Sequence, residues 1–130
     1  MCAKLVLKRQ KFDSSKQALY DLHWLPVKAR INQKILTFMY QCSTGSAPLY
    51  LTELLSRQVP KRQGLRSASS FDSDYDVPFN KRKTFSDRSF GTVGQKLWNQ
   101  LPMDIRQSHS LDVFKRKLKS YLFSNFYSLF

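Results

Sequence analysis

Residues 24–42 read Trp-Leu-Pro-Val-Lys-Ala-Arg-Ile-Asn-Gln-Lys-Ile-Leu-Thr-Phe-Met-Tyr-Gln-Cys. Pro26 suits the first turn of a helix, where a missing N–H leaves no bond unmade. At about 100 degrees per residue, Val27, Ile31, Ile35, Phe38 and Cys42 fall on one arc, which Met39 widens. Ala29, Leu36 and Tyr40 form a second apolar arc beside it. Arg30, Gln33, Lys34, Thr37 and Gln41 are left for water. A helix apolar on more than half its girth needs several packing partners. The stretch is therefore expected to be a central helix over residues 26–43, with Val27, Ile31, Ile35 and Phe38 turned inward.

Upstream, residues 1–18 read as a basic N-terminal arm in which residues 3–12 form either a short helix or a frayed end, with Ser14 or Ser15 able to cap a short helix through Ala18, Leu19 and Leu22. Leu25 precedes Pro26 and is biased away from helical backbone, so a break is expected there. Downstream, Gly45 can take the left-handed conformation that ends a helix, and Pro48 follows as a stop. Ser46 is a plausible cap for a second helix carrying Leu51, Leu54 and Leu55. Residues 19–56 thus read as an antiparallel helical hairpin. Residues 57–83 lose all periodicity and are rich in serine and basic side chains, the mark of a long loop.

Residues 84–123 read as an extended segment through Phe85 and Phe90, short helical turns, and a basic amphipathic helix. Val93, Leu97, Trp98 and Leu101 belong to the first turn; Pro102 ends it and starts the next, with Met103 and Ile105 inward. Ser110 can cap the last helix, and Asp112 lies in its positive first turn. Leu111, Phe114, Leu118, Tyr121 and Leu122 share one arc. Residues 124–130 form an aromatic tail that either packs back on the core or marks an open interface. The fold class is mainly α: a small irregular helical domain with a long basic, serine-rich loop and one short extended segment.

The chain has 130 residues, enough for one domain with a moderate core. Lysine and arginine outnumber acidic residues 22 to 9, a net charge of +13. Such a field attracts polyanions, nucleic acid before anionic membrane. Cys2 and Cys42 are too few for a disulfide framework or a zinc ladder. A reducing compartment, cytoplasm or nucleus, is the simpler expectation. No run approaches the roughly 18 apolar residues of a membrane span.

Catalytic chemistry finds no constellation. Asp72, Asp74 and Asp76 lack the glycine and further ligands of a calcium loop, and read as a solvated acidic spot. His23 and Cys42 sit at opposite ends of the central helix, roughly 27 Å apart if it is straight, and cannot form a nucleophile–base pair. Gly91-Thr-Val-Gly94 lacks the lysine-serine ending of a phosphate loop. No metal or cofactor is expected. What remains is cations interleaved with aromatics. Lys81, Arg82, Lys83 and Arg88 surround Phe85, and Lys115, Arg116, Lys117 and Lys119 crowd the last helix. These eight cations are the expected contacts to RNA or DNA phosphates, with little sequence preference.

Several phrases carry a resemblance. Leu22-His-Trp-Leu-Pro-Val-Lys-Ala-Arg-Ile, Ala47-Pro-Leu-Tyr-Leu-Thr-Glu-Leu-Leu, Asp87-Arg-Ser-Phe, Lys96-Leu-Trp-Asn-Gln-Leu-Pro and Ser110-Leu-Asp-Val-Phe-Lys-Arg-Lys-Leu-Lys-Ser-Tyr-Leu-Phe follow one another in order. Over residues 19–123 they resemble the C-terminal region of reverse-transcriptase polyproteins from non-LTR retrotransposons. Gly94-Gln95 departs from the small residue and proline often found before the Lys-Leu-Trp block. The resemblance implies an element-encoded protein that copies its RNA into DNA at a nicked target, with polymerase and endonuclease domains upstream. The polymerase Asp-Asp motif is absent here, so no catalytic residue is carried over. The expectation is a non-catalytic C-terminal remnant with weak, non-specific RNA or DNA binding. An upstream reverse-transcriptase domain is a further partner where the two are expressed together. The alternatives are a helical protein-interaction module and a nonfunctional fragment of a degenerate element.

Overall fold

The computed structural model describes residues 2–55, 75–77 and 88–128. Within these residues the fold is mainly α, with no β-strand. Seven helices follow in order among the described residues: α1 Cys2–Val6, α2 Ser15–Asp21, α3 Val27–Ser43, α4 Leu49–Thr52, α5 Phe90–Asn99, α6 Met103–Arg106 and α7 Leu111–Tyr127. The long helix α3 lies between α5 and α7, its two main partners.

Helix α3 starts after Pro26, whose φ of −60° is ready-made for a helix entrance. It runs to Ser43, and just past its end Gly45 takes φ +74°, a conformation with little cost for a residue lacking Cβ. The buried face is the second apolar arc together with Met39 and Cys42 from the C-terminal half of the first. Ala29, Leu36, Met39, Tyr40 and Cys42 are buried, whereas Val27 and Ile31 are 70% and 54% exposed. Ile35 and Phe38 are half-buried. The inward placement expected for Val27 and Ile31 is therefore corrected. The Leu36–Met39–Tyr40 face shares one core with Trp98 and Phe114, and Val27 and Ile31 are left outside.

Leu36, Met39, Trp98, Phe114 and Leu118 form the centre of the core, each at most 2% exposed. The Tyr40 ring stacks on Phe114 with centroids 4.4 Å apart, and its hydroxyl donates to the Ser108 carbonyl at 2.7 Å. That bond ties α3 to the approach of α7. Helix α5 comes close to α3 at Gly94, where a Cβ would stand 2.8 Å from the Met39 sulfur. Gly91 and Gly94 thus serve helix packing inside α5 and form no phosphate loop.

The ends and the joints give a mixed outcome. The N-terminal segment holds the short helix α1, one of its two expected forms, and α2 with Ser14 as its N-cap, as the sequence led one to expect; Arg9 is paired to Asp21. Helix α4 is a single turn with no buried residue, capped at Pro48 and not at Ser46, so α5 and α7 replace it as partners of α3. Phe90 opens α5 and is not on an extended segment; Phe85 lies outside the described residues. The final helix, capped by Ser110 through the Val113 N–H, runs to Tyr127, so most of the aromatic tail is helical. Tyr127 is buried, which is the packed-back arrangement.

Most of the expected loop at residues 57–83 lies outside the described residues. Its one described stretch holds a core residue that periodicity gave no reason to expect. Tyr75 is buried edge-on against Trp98, and Asn99 accepts from its N–H at 3.0 Å and donates to its carbonyl at 2.8 Å.

Candidate nucleic-acid interface

Of the eight cations expected from the sequence, five are among the described residues, and these five are not all on one face. Lys81, Arg82 and Lys83 lie outside the described residues. Arg88 is exposed in the turn before α5. The other four are on α7, where helical geometry separates them. At about 100 degrees per residue, Lys115, Lys119 and Arg116 span one arc opposite Phe114 and Leu118. All three are exposed, and none makes an ion pair with a described residue. Lys117 points to the other flank. Its ammonium donates to both carboxylate oxygens of Asp104, at 3.0 and 3.1 Å, and to the Asp104 carbonyl at 3.2 Å. It holds α6 against α7 and is taken out of the group.

Lys119 borders a hollow of about 280 Å³ that the linear sequence does not foretell. His23, Trp24, Leu25, Arg30 and Gln33 complete its lining. Arg30 donates from Nε to the Leu25 carbonyl at 2.8 Å, the residue just before the helix-starting proline. That bond fixes the plane of the guanidinium. His23, at φ +53°, packs on Phe123 of α7 with ring centroids 3.9 Å apart. Tyr20 stacks on the same ring from the side at 5.6 Å. The Tyr127 hydroxyl donates to the Trp24 carbonyl at 3.1 Å, and burial pushes this phenol above its ordinary range. The aromatic end of α7 thereby anchors the turn that carries His23 and Trp24. Trp24 itself remains 37% exposed. A neighbouring hollow of about 410 Å³ shares Trp24 and Arg30 and reaches Lys4 of α1.

A separate cleft of about 470 Å³ lies between α3, α5 and α7, floored by Leu36, Leu97, Leu101 and Leu122. It holds no carboxylate and no nucleophile–base pair. Among the described residues no group of three or more His, Cys, Asp or Glu is arranged to hold a metal. Asp76 is exposed, while Asp72 and Asp74 lie outside the described residues. Cys42 is buried at the far end of α3 from His23, and burial pushes its thiol up, opposed by a hydrogen bond with Thr52. No helix among the described residues is long and apolar enough to cross a membrane.

Sequence reasoning found Lys119 but missed Trp24, Arg30 and Gln33 as members of the same surface. Its only available signal was the phrase Trp24-Leu-Pro-Val-Lys-Ala-Arg30, an aromatic and a guanidinium straddling a helix start. In comparisons with protein-family models, curated proteins and solved structures, nothing matches this chain.

Proposed function

We propose that the chain is a non-catalytic nucleic-acid-binding element, a C-terminal part of a reverse transcriptase of the non-LTR retrotransposon type, with weak affinity for RNA and DNA and little sequence preference. The observation that carries this reading is the exposed row of Lys115, Arg116 and Lys119, which has no acidic partner among the described residues and continues to Arg30. Flexible surface cations bind phosphates by releasing condensed counterions, so they position a strand without reading it. The ordered phrases around Trp24, Trp98 and Phe114 supply the family part of the proposal.

The test is a fluorescence-anisotropy titration with labelled RNA and DNA at two salt concentrations. Affinity is expected to fall steeply with salt, and Lys115→Ala, Arg116→Ala and Lys119→Ala together to weaken unrelated sequences alike. No detectable binding at low salt would sink the proposal. A second reading, a helical protein-interaction module, is favoured by one observation: Leu49, Tyr50 and Leu54 around α4 are 72%, 66% and 57% exposed.

A further inference from the structure

We infer that the hollow beside Trp24 is a single-strand site, in which the indole stacks on one unpaired base while Arg30 and Lys119 hold the flanking phosphates. The inference rests on the nucleic-acid reading above and deepens it by naming the form of the polymer.

Three features support it. The first is a large ring kept partly in water although its backbone is fixed at both ends. The Trp24 N–H donates to the Leu19 carbonyl at 2.8 Å, and the Trp24 carbonyl accepts from Tyr127 at 3.1 Å. These bonds fix the backbone from which the indole projects, which lowers the ordering cost when a base lands on it. The second is the placement of charge. Arg30 and Lys119 come from helices far apart in sequence, yet line one hollow with Trp24, and no carboxylate shares that lining. The Nε bond of Arg30 to Leu25 leaves its terminal nitrogens for an outside acceptor. The third is continuity. Trp24 and Arg30 also border the second hollow, whose lining includes Lys4, so Lys119, Arg30 and Lys4 all edge hollows that share the ring; the Lys4 ammonium donates to the Lys11 carbonyl at 2.8 Å. This is the arrangement of a groove that tracks a backbone with a ring set into it.

The preference for single strands follows from access. In a duplex the faces of the bases are covered by their neighbours, and an indole at the surface has nothing to stack on. A hollow of about 280 Å³ is at the small end for ligand clefts. It suits one flat group next to the ring. Gln33 on its wall offers both a donor and an acceptor to a base edge.

The experiment compares three labelled probes on the full chain at low salt: a single-stranded oligothymidylate, the same strand with abasic sites in place of the bases, and a duplex of equal length. Wild type is expected to bind the single strand about tenfold more tightly than the abasic strand. Trp24→Ala is expected to lose that margin and keep the abasic affinity. Trp24→Phe retains a ring, guards against misfolding, and keeps part of the margin. Binding of the single strand should also quench the exposed indole, and in Trp24→Phe, where only buried Trp98 remains, the quenching should vanish. Equal affinity for base-bearing and abasic strands, or a Trp24→Ala variant that folds and binds like wild type, overturns the inference while leaving charge-driven binding in place. Preference for the duplex overturns it as well. Absence of binding to all three probes overturns both this inference and the proposed function.

Discussion

The Tyr127 hydroxyl donates to the Trp24 carbonyl at 3.1 Å, joining the last turn of α7 to the turn that opens α3. Burial raises the Tyr127 pKa above its ordinary value near 10. The folded state therefore favours the protonated phenol. Its stabilisation is fully present below the unfolded pKa and is lost as pH rises through the higher folded one. Tyr127→Phe is expected to cost about 1 kcal/mol at neutral pH. It should also remove this alkaline component, seen as a late-titrating tyrosine in ultraviolet absorbance. A difference between wild type and variant that titrates with the ordinary tyrosines would contradict the assignment.

The face of α3 that matters for stability is the one holding Leu36. Leu36→Ala is expected to cost about 2–5 kcal/mol, since it opens a cavity beneath Trp98 and Phe114. Ile31→Ala should stay within about 0.5 kcal/mol, because more than half of that residue is in water. Urea denaturation followed by far-ultraviolet circular dichroism measures both. A reversed order would mean that the opposite arc is the core.

Gly94 sets the distance between α3 and α5. An alanine there places Cβ 2.8 Å from the sulfur and 3.2 Å from Cγ of Met39, a side chain with no exposure. Overpacking should outweigh the roughly 1 kcal/mol gained in helix propensity, for a net loss of about 1–2 kcal/mol. In a Met39→Ala background the clash has no partner, and Gly94→Ala should become stabilising. A double-mutant cycle with no coupling would dismiss the close approach.

Two neighbouring lysines of α7 should behave differently. On the proposed function, Lys119→Ala would remove a phosphate contact and is expected to reduce the salt slope of binding by about 0.7–0.9. Lys117→Ala should leave the slope nearly unchanged, because its ammonium is engaged by Asp104. The loss of that exposed pair costs at most about 1 kcal/mol. The two single variants in one salt series decide the matter.

The two thiols should separate in time. Cys2 is exposed, and Cys42 is buried with its thiol pushed up by its surroundings. A disulfide-exchange reagent is expected to modify one thiol quickly and the second only as the chain unfolds, since the thiolate is the reacting form. Two fast equivalents would show that the end of α3 is open.

Much of the helical fold can be read from the chain, because helix starts and stops are local chemistry. Pro26, Gly45, Pro102 and Ser110 act within a turn of themselves, and each stands where its local chemistry places it. The choice of face on α3 is not local. Two apolar arcs of similar weight compete, and the winner depends on Trp98 and Phe114, which no periodicity within α3 can reveal. The same holds for Tyr75, whose burial depends on the side chain of Asn99 in another segment. The cations were visible as a run on α7, but the run conceals that Asp104 claims Lys117. The meeting of Trp24, Arg30 and Lys119 is a product of tertiary packing alone. An aromatic beside a basic residue in sequence says nothing about a lysine contributed from the far side of the core.

The dependence of α3 on later segments also has a temporal side. Leu36 and Met39 are made well before Trp98 and Phe114, which cover them. At about 5–20 residues per second, the ribosome leaves that greasy face bare for roughly 4–16 seconds. During this interval that face has no core to enter, and the bond that holds the Trp24 carbonyl beside its hollow can form only once Tyr127 has been made.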